Sequence, residues 1–182
     1  MNMLRRRRRN GARGQALVEF ALVAPIFFLL VFSVIQLGLV FGAQNGLVDG
    51  VRSAARRAAT YRLNEGSFDA TVWSGICATI EQTLTDRLNG SQAQEMLVGF
   101  DPANLTTAIT YRFEPNPESG EYFMVAEITA TYNNPLYVPL VSAFLDGSDG
   151  SNDGFLTLSA SEKMRVENPP LLGITTFSQA CP

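Results

Sequence analysis

Residues 13–43 read "RGQALVEFALVAPIFFLLVFSVIQLGLVFGA", and this stretch decides the architecture. From Ala16 to Ala43 its one formal charge is Glu19. About 20 mostly apolar residues cross the hydrocarbon core of a bilayer as a helix, so the run predicts a transmembrane helix with length to spare. Arg5 to Arg9 and Arg13 stand directly before it. By the positive-inside rule they hold the N-terminal side in the cytoplasm and place the C-terminal part of the chain outside it. A removable secretory signal calls for a shorter apolar region ending in a small-x-small site, whereas "FGAQ" places Phe41 where a small residue belongs. A twin-arginine signal fails for the same reason. Pro25 removes one helix hydrogen bond, which membrane helices tolerate, and predicts a kink.

The charge divides as the hydropathy does. Residues 1–14 carry six of the 14 basic side chains and none of the 17 acidic ones, so from Gln15 onward the balance is 8 − 17 = −9. A basic tail before an acidic body is the wrong distribution for nucleic-acid binding, which needs clustered Lys and Arg on the folded part. The chain has no histidine, which removes the usual general base and the commonest zinc ligand. No nucleophile–base pair stands out, so the expectation is no enzyme, no cofactor, no metal and no small-molecule substrate.

Glu19 asks for a reason. A carboxylate costs ~2.5–3.5 kcal/mol at the bilayer centre and less near an interface, and such residues usually have a partner. One reading is local: the side chain reaches headgroup water or Arg13. The other comes from its neighbours. Gly14 precedes an apolar run whose fifth residue is Glu19, followed by Phe20, and together these resemble the processing signal of type IV prepilin-like proteins, in the Flp or tight-adherence branch. The core Val18-Glu19-Phe20-Ala21-Leu22-Val23-Ala24-Pro25 is similar to that of TadE-like pilus-assembly proteins. The resemblance covers residues 11 to about 60, including "VRSAARRAATYR" at 51–62, and "LSASEKMRVE" at 158–167 looks like the family's closing strand.

That resemblance implies cleavage between Gly14 and Gln15 by a membrane-embedded prepilin peptidase. Taken with the resemblance, the expected division is a basic cytoplasmic leader over 1–14, a membrane helix over 15–43 and a periplasmic domain over 44–182. It also implies a minor pilin or pseudopilin, with TadE/TadF-like pseudopilins, Flp pilin and inner-membrane lipid as partners. Assembly roles fall to Glu19, Phe20 and Pro25. Gln15 departs from the apolar or methionine residue usual in major pilins, and the chain is far longer than a major Flp subunit. A free amine made at Gln15 could be neutralised by a neighbour's Glu19 inside a low-dielectric helix bundle, where a paired charge is favoured and an unpaired one is expensive. The alternative is a tethered periplasmic binding domain that is never cleaved.

Beyond the span, Leu47, Val51, Ala54, Ala55, Ala58 and Ala59 fall on one helical stripe, with Arg52, Arg56 and Arg57 largely off it. The helix is expected to run to about Arg62, with its small-residue stripe packing on the domain's own strands or, alternatively, on a partner helix. Gly38, Gly42, Gly46 and Gly50 recur every four residues, a spacing that permits close helix approach or loosens the exit from the membrane. A second helix fits "FDATVWSGICATIEQTLTDRLNG", capped by Asp69, stopped at Asn89-Gly90, with Val72, Trp73, Ile76, Cys77, Ile80 and Leu84 apolar. Strand-like runs occur around 94–100, 105–113, 121–132 and 155–166. The fold class expected is α+β: a long N-terminal helix continuing into a pilin-like head of two helices on an antiparallel sheet of about four strands. Cys77 and Cys181 either form one disulfide that pins the tail, or are a buried cysteine and an incidental terminal one. "DGSDGSNDG" at 146–154 has the opening spacing of a calcium loop but Ala160 at its twelfth position, so a solvated turn is expected.

Overall fold

The computed structural model describes residues 7–90, 97, 99–167, 169 and 178–182. Helix α1 (Arg7–Thr60) passes without interruption through Pro25. Helix α2 is Ala70–Leu88, strand β1 Leu105–Pro115, β2 Tyr122–Pro135, helix α3 Pro139–Leu145, strand β3 Phe155–Arg165 and β4 Ser178–Ala180. The four strands form one antiparallel sheet in the order β3-β2-β1-β4. The α+β class and the four-stranded sheet are as expected.

Alternation along β2 explains the layering. Met124, Ala126, Ile128, Ala130 and Tyr132 are buried beneath the helices. On the intervening positions, Glu127 joins Arg112, and Glu114 joins both Arg112 and Lys163, with the Lys163 Nζ at 2.8 Å. Hydrogen bonds from Lys163 and Arg112 hold the Glu114 carboxyl below the ordinary carboxylate range. The exterior of the central strands is therefore a polar ladder, and the inner face is core.

The stripe on α1 packs inward: Leu47, Val51, Ala54, Ala55, Ala58 and Ala59 are all buried in the head, against α2, β2 and β3. Alanines let the backbones approach, because they add little side-chain bulk between helix and sheet. Gly50 takes this further, since a Cβ there would lie 3.0 Å from Leu84 Cδ1 and 3.1 Å from Leu88 Cδ2. Gly38 and Gly42, by contrast, have no neighbour within 4 Å of the position a Cβ would take. Close approach thus accounts for one end of the glycine series only. Tyr111 is buried with its hydroxyl donated to the Ala58 carbonyl at 3.1 Å, and burial pushes that phenol well above its ordinary range.

Four expectations need correction. Asp69 stands at the N-cap of α2, but its side chain makes no capping bond; its carbonyl accepts from Trp73 N–H at 2.8 Å. Val72 is 47% exposed and lies at the edge of the buried stripe formed by Trp73, Ile76, Cys77, Ile80, Leu84 and Leu88 rather than within it. The strand expected at 94–100 falls partly outside the described residues, and Leu97, Gly99 and Phe100 are not in a strand. The fourth strand is instead Ser178–Ala180, whose local sequence carries no strand signal and which forms by pairing with Thr110–Arg112 of β1. Helix α3, unexpected from the sequence, interrupts what reads as a loop between β2 and β3. It runs into a 3-10 turn over Asp146–Asp149, where the Asp146 carboxylate accepts N–H groups from Asp153 and Gly154 at 3.1 and 2.8 Å, while Asp153 accepts from Phe155 N–H at 3.1 Å. Those carboxylates hold a turn.

Candidate functional site

The exposed half of α1 is built by omission: the head leaves its N-terminal turns uncovered and meets it only from Pro25 onward, through Val138 and Val141. Leu17, Val18, Phe20, Leu22, Val23 and Ile26 are exposed, and Leu22 reaches 70%. Among the described residues this is the one helix long and apolar enough to cross a membrane. Burial begins at Gln36 and is regular from Ala43. The head therefore grips the last turns of the stretch expected to span, and the division between span and head is gradual.

Gly14, Gln15, Glu19 and Phe20 lie within about two turns of this uncovered helix. Gln15 and Glu19, four residues apart, share a face, and Gln15 Nε2 donates to Glu19 Oε1 at 3.1 Å. The carboxylate thus has a partner within its own chain, but an exposed one that a stronger donor can displace. A Cβ on Gly14 would meet nothing within 4 Å, so the glycine is not there to make room within this chain. Its physical effect on the helix is to weaken it, by about 1 kcal/mol relative to alanine. Pro25, six residues beyond Glu19, lines a different feature, an apolar groove with Ile26, Phe28, Leu29, Phe32, Val138 and Val141.

Cys77 and Cys181 are far from this segment in the fold. They form a disulfide with Cα atoms 5.7 Å apart, joining positions 104 residues apart in sequence. Trp73, one turn before Cys77, donates its Nε1 to the Ala180 carbonyl at 3.0 Å, and Cys181 N–H donates to Ile109 O at 2.9 Å. The C-terminal strand is thereby held by covalent, side-chain and backbone bonds together.

Two features escaped the sequence reading. Gln36 is fully buried on the apolar helix, its Oε1 accepting the N–H groups of Tyr137 and Val138 at 3.0 and 3.2 Å. A lone amide in such a run was the available signal, because a buried polar side chain needs a hydrogen-bond partner. The second is a groove between α1 and α2 lined by Asp49, Arg52, Arg56, Arg57 and Arg87. It gathers four of the eight basic side chains that lie beyond Gln15 on one side of an acidic body.

Residues 14–56 match the family model for TadE-like protein. The match begins at Gly14 and ends inside the buried alanine stripe, covering the uncovered helix and its entry into the head. No curated protein and no solved structure matches the chain.

Proposed function

We propose that this chain, whose residues 14–56 carry the TadE-like segment, is a minor pilin or pseudopilin that primes, scaffolds or caps a Flp/Tad-type pilus used for adhesion. In this reading α1 anchors it in the bacterial inner membrane, the head lies in the periplasm, and a prepilin peptidase cuts between Gly14 and Gln15. The observation that carries the proposal is the placement of Gly14, Gln15 and Glu19 on a stretch of helix that no part of the head covers, with Gln15 and Glu19 on one face of it. A protease in the membrane can reach that bond, and a neighbouring helix can reach that carboxylate. Cleavage leaves an ammonium at residue 15. A neighbour's ammonium is a stronger donor to Glu19 than the neutral Gln15 amide, so the intrachain bond gives way to an intersubunit ion pair that sets the register of assembly.

Intact mass of the membrane-extracted protein, from cells with and without the prepilin peptidase, tests this directly. The expected mass corresponds to a chain beginning at Gln15 when the peptidase is active, and replacing Gly14 abolishes the shift. Retention of the arginine-rich leader in the presence of active peptidase overturns the pilin reading and leaves a tethered domain. A second outcome concerns assembly alone. Glu19→Ala leaves insertion and cleavage intact and lowers recovery of the protein with its pilus partners several-fold, as expected from losing a paired charge worth about 1–3 kcal/mol. Undiminished co-recovery of the variant removes the pairing role.

A further inference from the structure

We infer that residues 135–145, the link and helix α3 between β2 and β3, make a second contact with the membrane, and that the acyl chains of the leaflet nearest the head are their partner. The inference rests on α1 being the membrane anchor, and goes beyond it by giving the head its own lipid-facing surface.

Composition is the first support. "PLYVPLVSAFL" has no charged residue across eleven positions. Phe144 is 78% exposed and Tyr137 47%, although the rest of the head buries most of its large apolar side chains. Position is the second. Val138 and Val141 form one wall of the apolar groove whose other wall is Pro25, Ile26, Phe28, Leu29 and Phe32, so this part of the head faces the span itself. Protein-docking patches are typically rimmed by polar residues. This groove instead runs into the exposed apolar surface of α1, with which lipid is already in contact.

Backbone chemistry is the third support and the most discriminating. Leu136 N–H donates to Gly154 O at 3.1 Å, and Tyr137 and Val138 N–H donate to Gln36 Oε1. Pro135 and Pro139 have no N–H to satisfy. Val141 and Ser142 N–H both donate to Val138 O, at 3.0 and 2.7 Å. The last two are the first-turn bonds of any helix; the bonds to Gly154 O and Gln36 Oε1 carry the argument, because non-helical backbone at membrane depth is tolerated only when its polar groups are satisfied by the protein. Gln36 fits the same logic through its oxygen, which serves two backbone donors of the link, while its Nε2 is buried without a hydrogen-bond partner among the described residues. Counting back about 20 residues from Gln36, the length of one span, reaches Ala16, between Arg13 and Glu19. With Gln36 at the boundary nearer the head, Phe32 to Pro25 lie about 6–17 Å inside it at 1.5 Å per residue, so the part of the head that walls the groove reaches into that leaflet.

The test uses the full chain in vesicles whose phospholipid acyl chains carry bromine, which quenches tryptophan on contact. The parent has one tryptophan, Trp73, which is buried in the head. Phe144→Trp and Tyr137→Trp are compared with Leu22→Trp, a probe on the exposed part of α1. The expected result is that the added emission falls to about half or less in brominated vesicles for all three, while that of the parent is unchanged. Quenching at Leu22→Trp without quenching at both Phe144→Trp and Tyr137→Trp overturns the second contact while sparing the anchor, and leaves the groove to a protein partner. Absence of quenching at all three positions overturns the anchor and the inference together.

Discussion

Replacing Cys77 and Cys181 by serine lowers the unfolding free energy of the head by about 3–5 kcal/mol, with the full chain in detergent and circular dichroism tracking denaturant unfolding. The bond spans 104 residues, so in the chain-entropy account its removal releases a large loop in the unfolded state. The folded state loses as well. Strand β4 pairs with β1 through three residues only, Ser178, Gln179 and Ala180, too few to hold a chain end by themselves. Its place beside β1 depends on the crosslink at the next residue. An unchanged midpoint and slope in the doubly substituted protein would show that the crosslink contributes nothing.

Trp73→Ala is expected to cost about 3–5 kcal/mol in the same measurement, the range for removing a large buried aromatic. Trp73 is 3% exposed, packs edge-on against Tyr111 with ring centroids 5.3 Å apart, and lies 5.2 Å from the ring of Phe68. Its Nε1 is also the donor that holds the Ala180 carbonyl. Truncation opens a cavity at the joint of α2, β1 and β4 and orphans that carbonyl. Trp73→Phe separates the two contributions: it keeps most of the packing, loses the donor, and is expected to cost about 1–3 kcal/mol. A loss below about 1 kcal/mol for Trp73→Ala would show that the site collapses around the missing ring.

These two substitutions are coupled because both release residues 178–182. Combining Trp73→Ala with the cysteine replacements should therefore cost less than the sum of their separate effects, as neighbouring sites sharing one structural element do. The head behaves in this respect as a sheet closed at one edge by a short strand that has no independent stability.

How much of this could be read in advance differs from element to element. The stripe Leu47-Val51-Ala54-Ala55-Ala58-Ala59 was legible because helical periodicity is local, and it was found buried as its spacing implied. The alternation along β1, β2 and β3 was legible for the same reason, and those ranges moved by a few residues at most. The strand at Ser178–Ala180 was not, because three residues of small and polar type become a strand only when β1 offers an edge and Cys77 holds the neighbouring cysteine. Helix α3 was missed because a seven-residue helix between a proline-rich link and a turn is too short for a periodic signal. Of the candidate site, Gly14, Gln15, Glu19 and Phe20 were all visible as sequence, and the structure adds that Gln15 and Glu19 already share a hydrogen bond.

Composition and short-range periodicity alone determined the long apolar helix and the acidic α+β head, since each arises from what one stretch of chain must do with its own side chains, while the segment from Gly14 to Pro25 stood out by its resemblance to TadE-like proteins. Only tertiary structure decided which residues close the sheet, why Gln36 stands in an apolar helix, and where α3 lies. The partners in those cases are separated by 101 residues for Gln36 and Tyr137 and by 104 for Cys77 and Cys181, and nothing local in either member of a pair specifies the other.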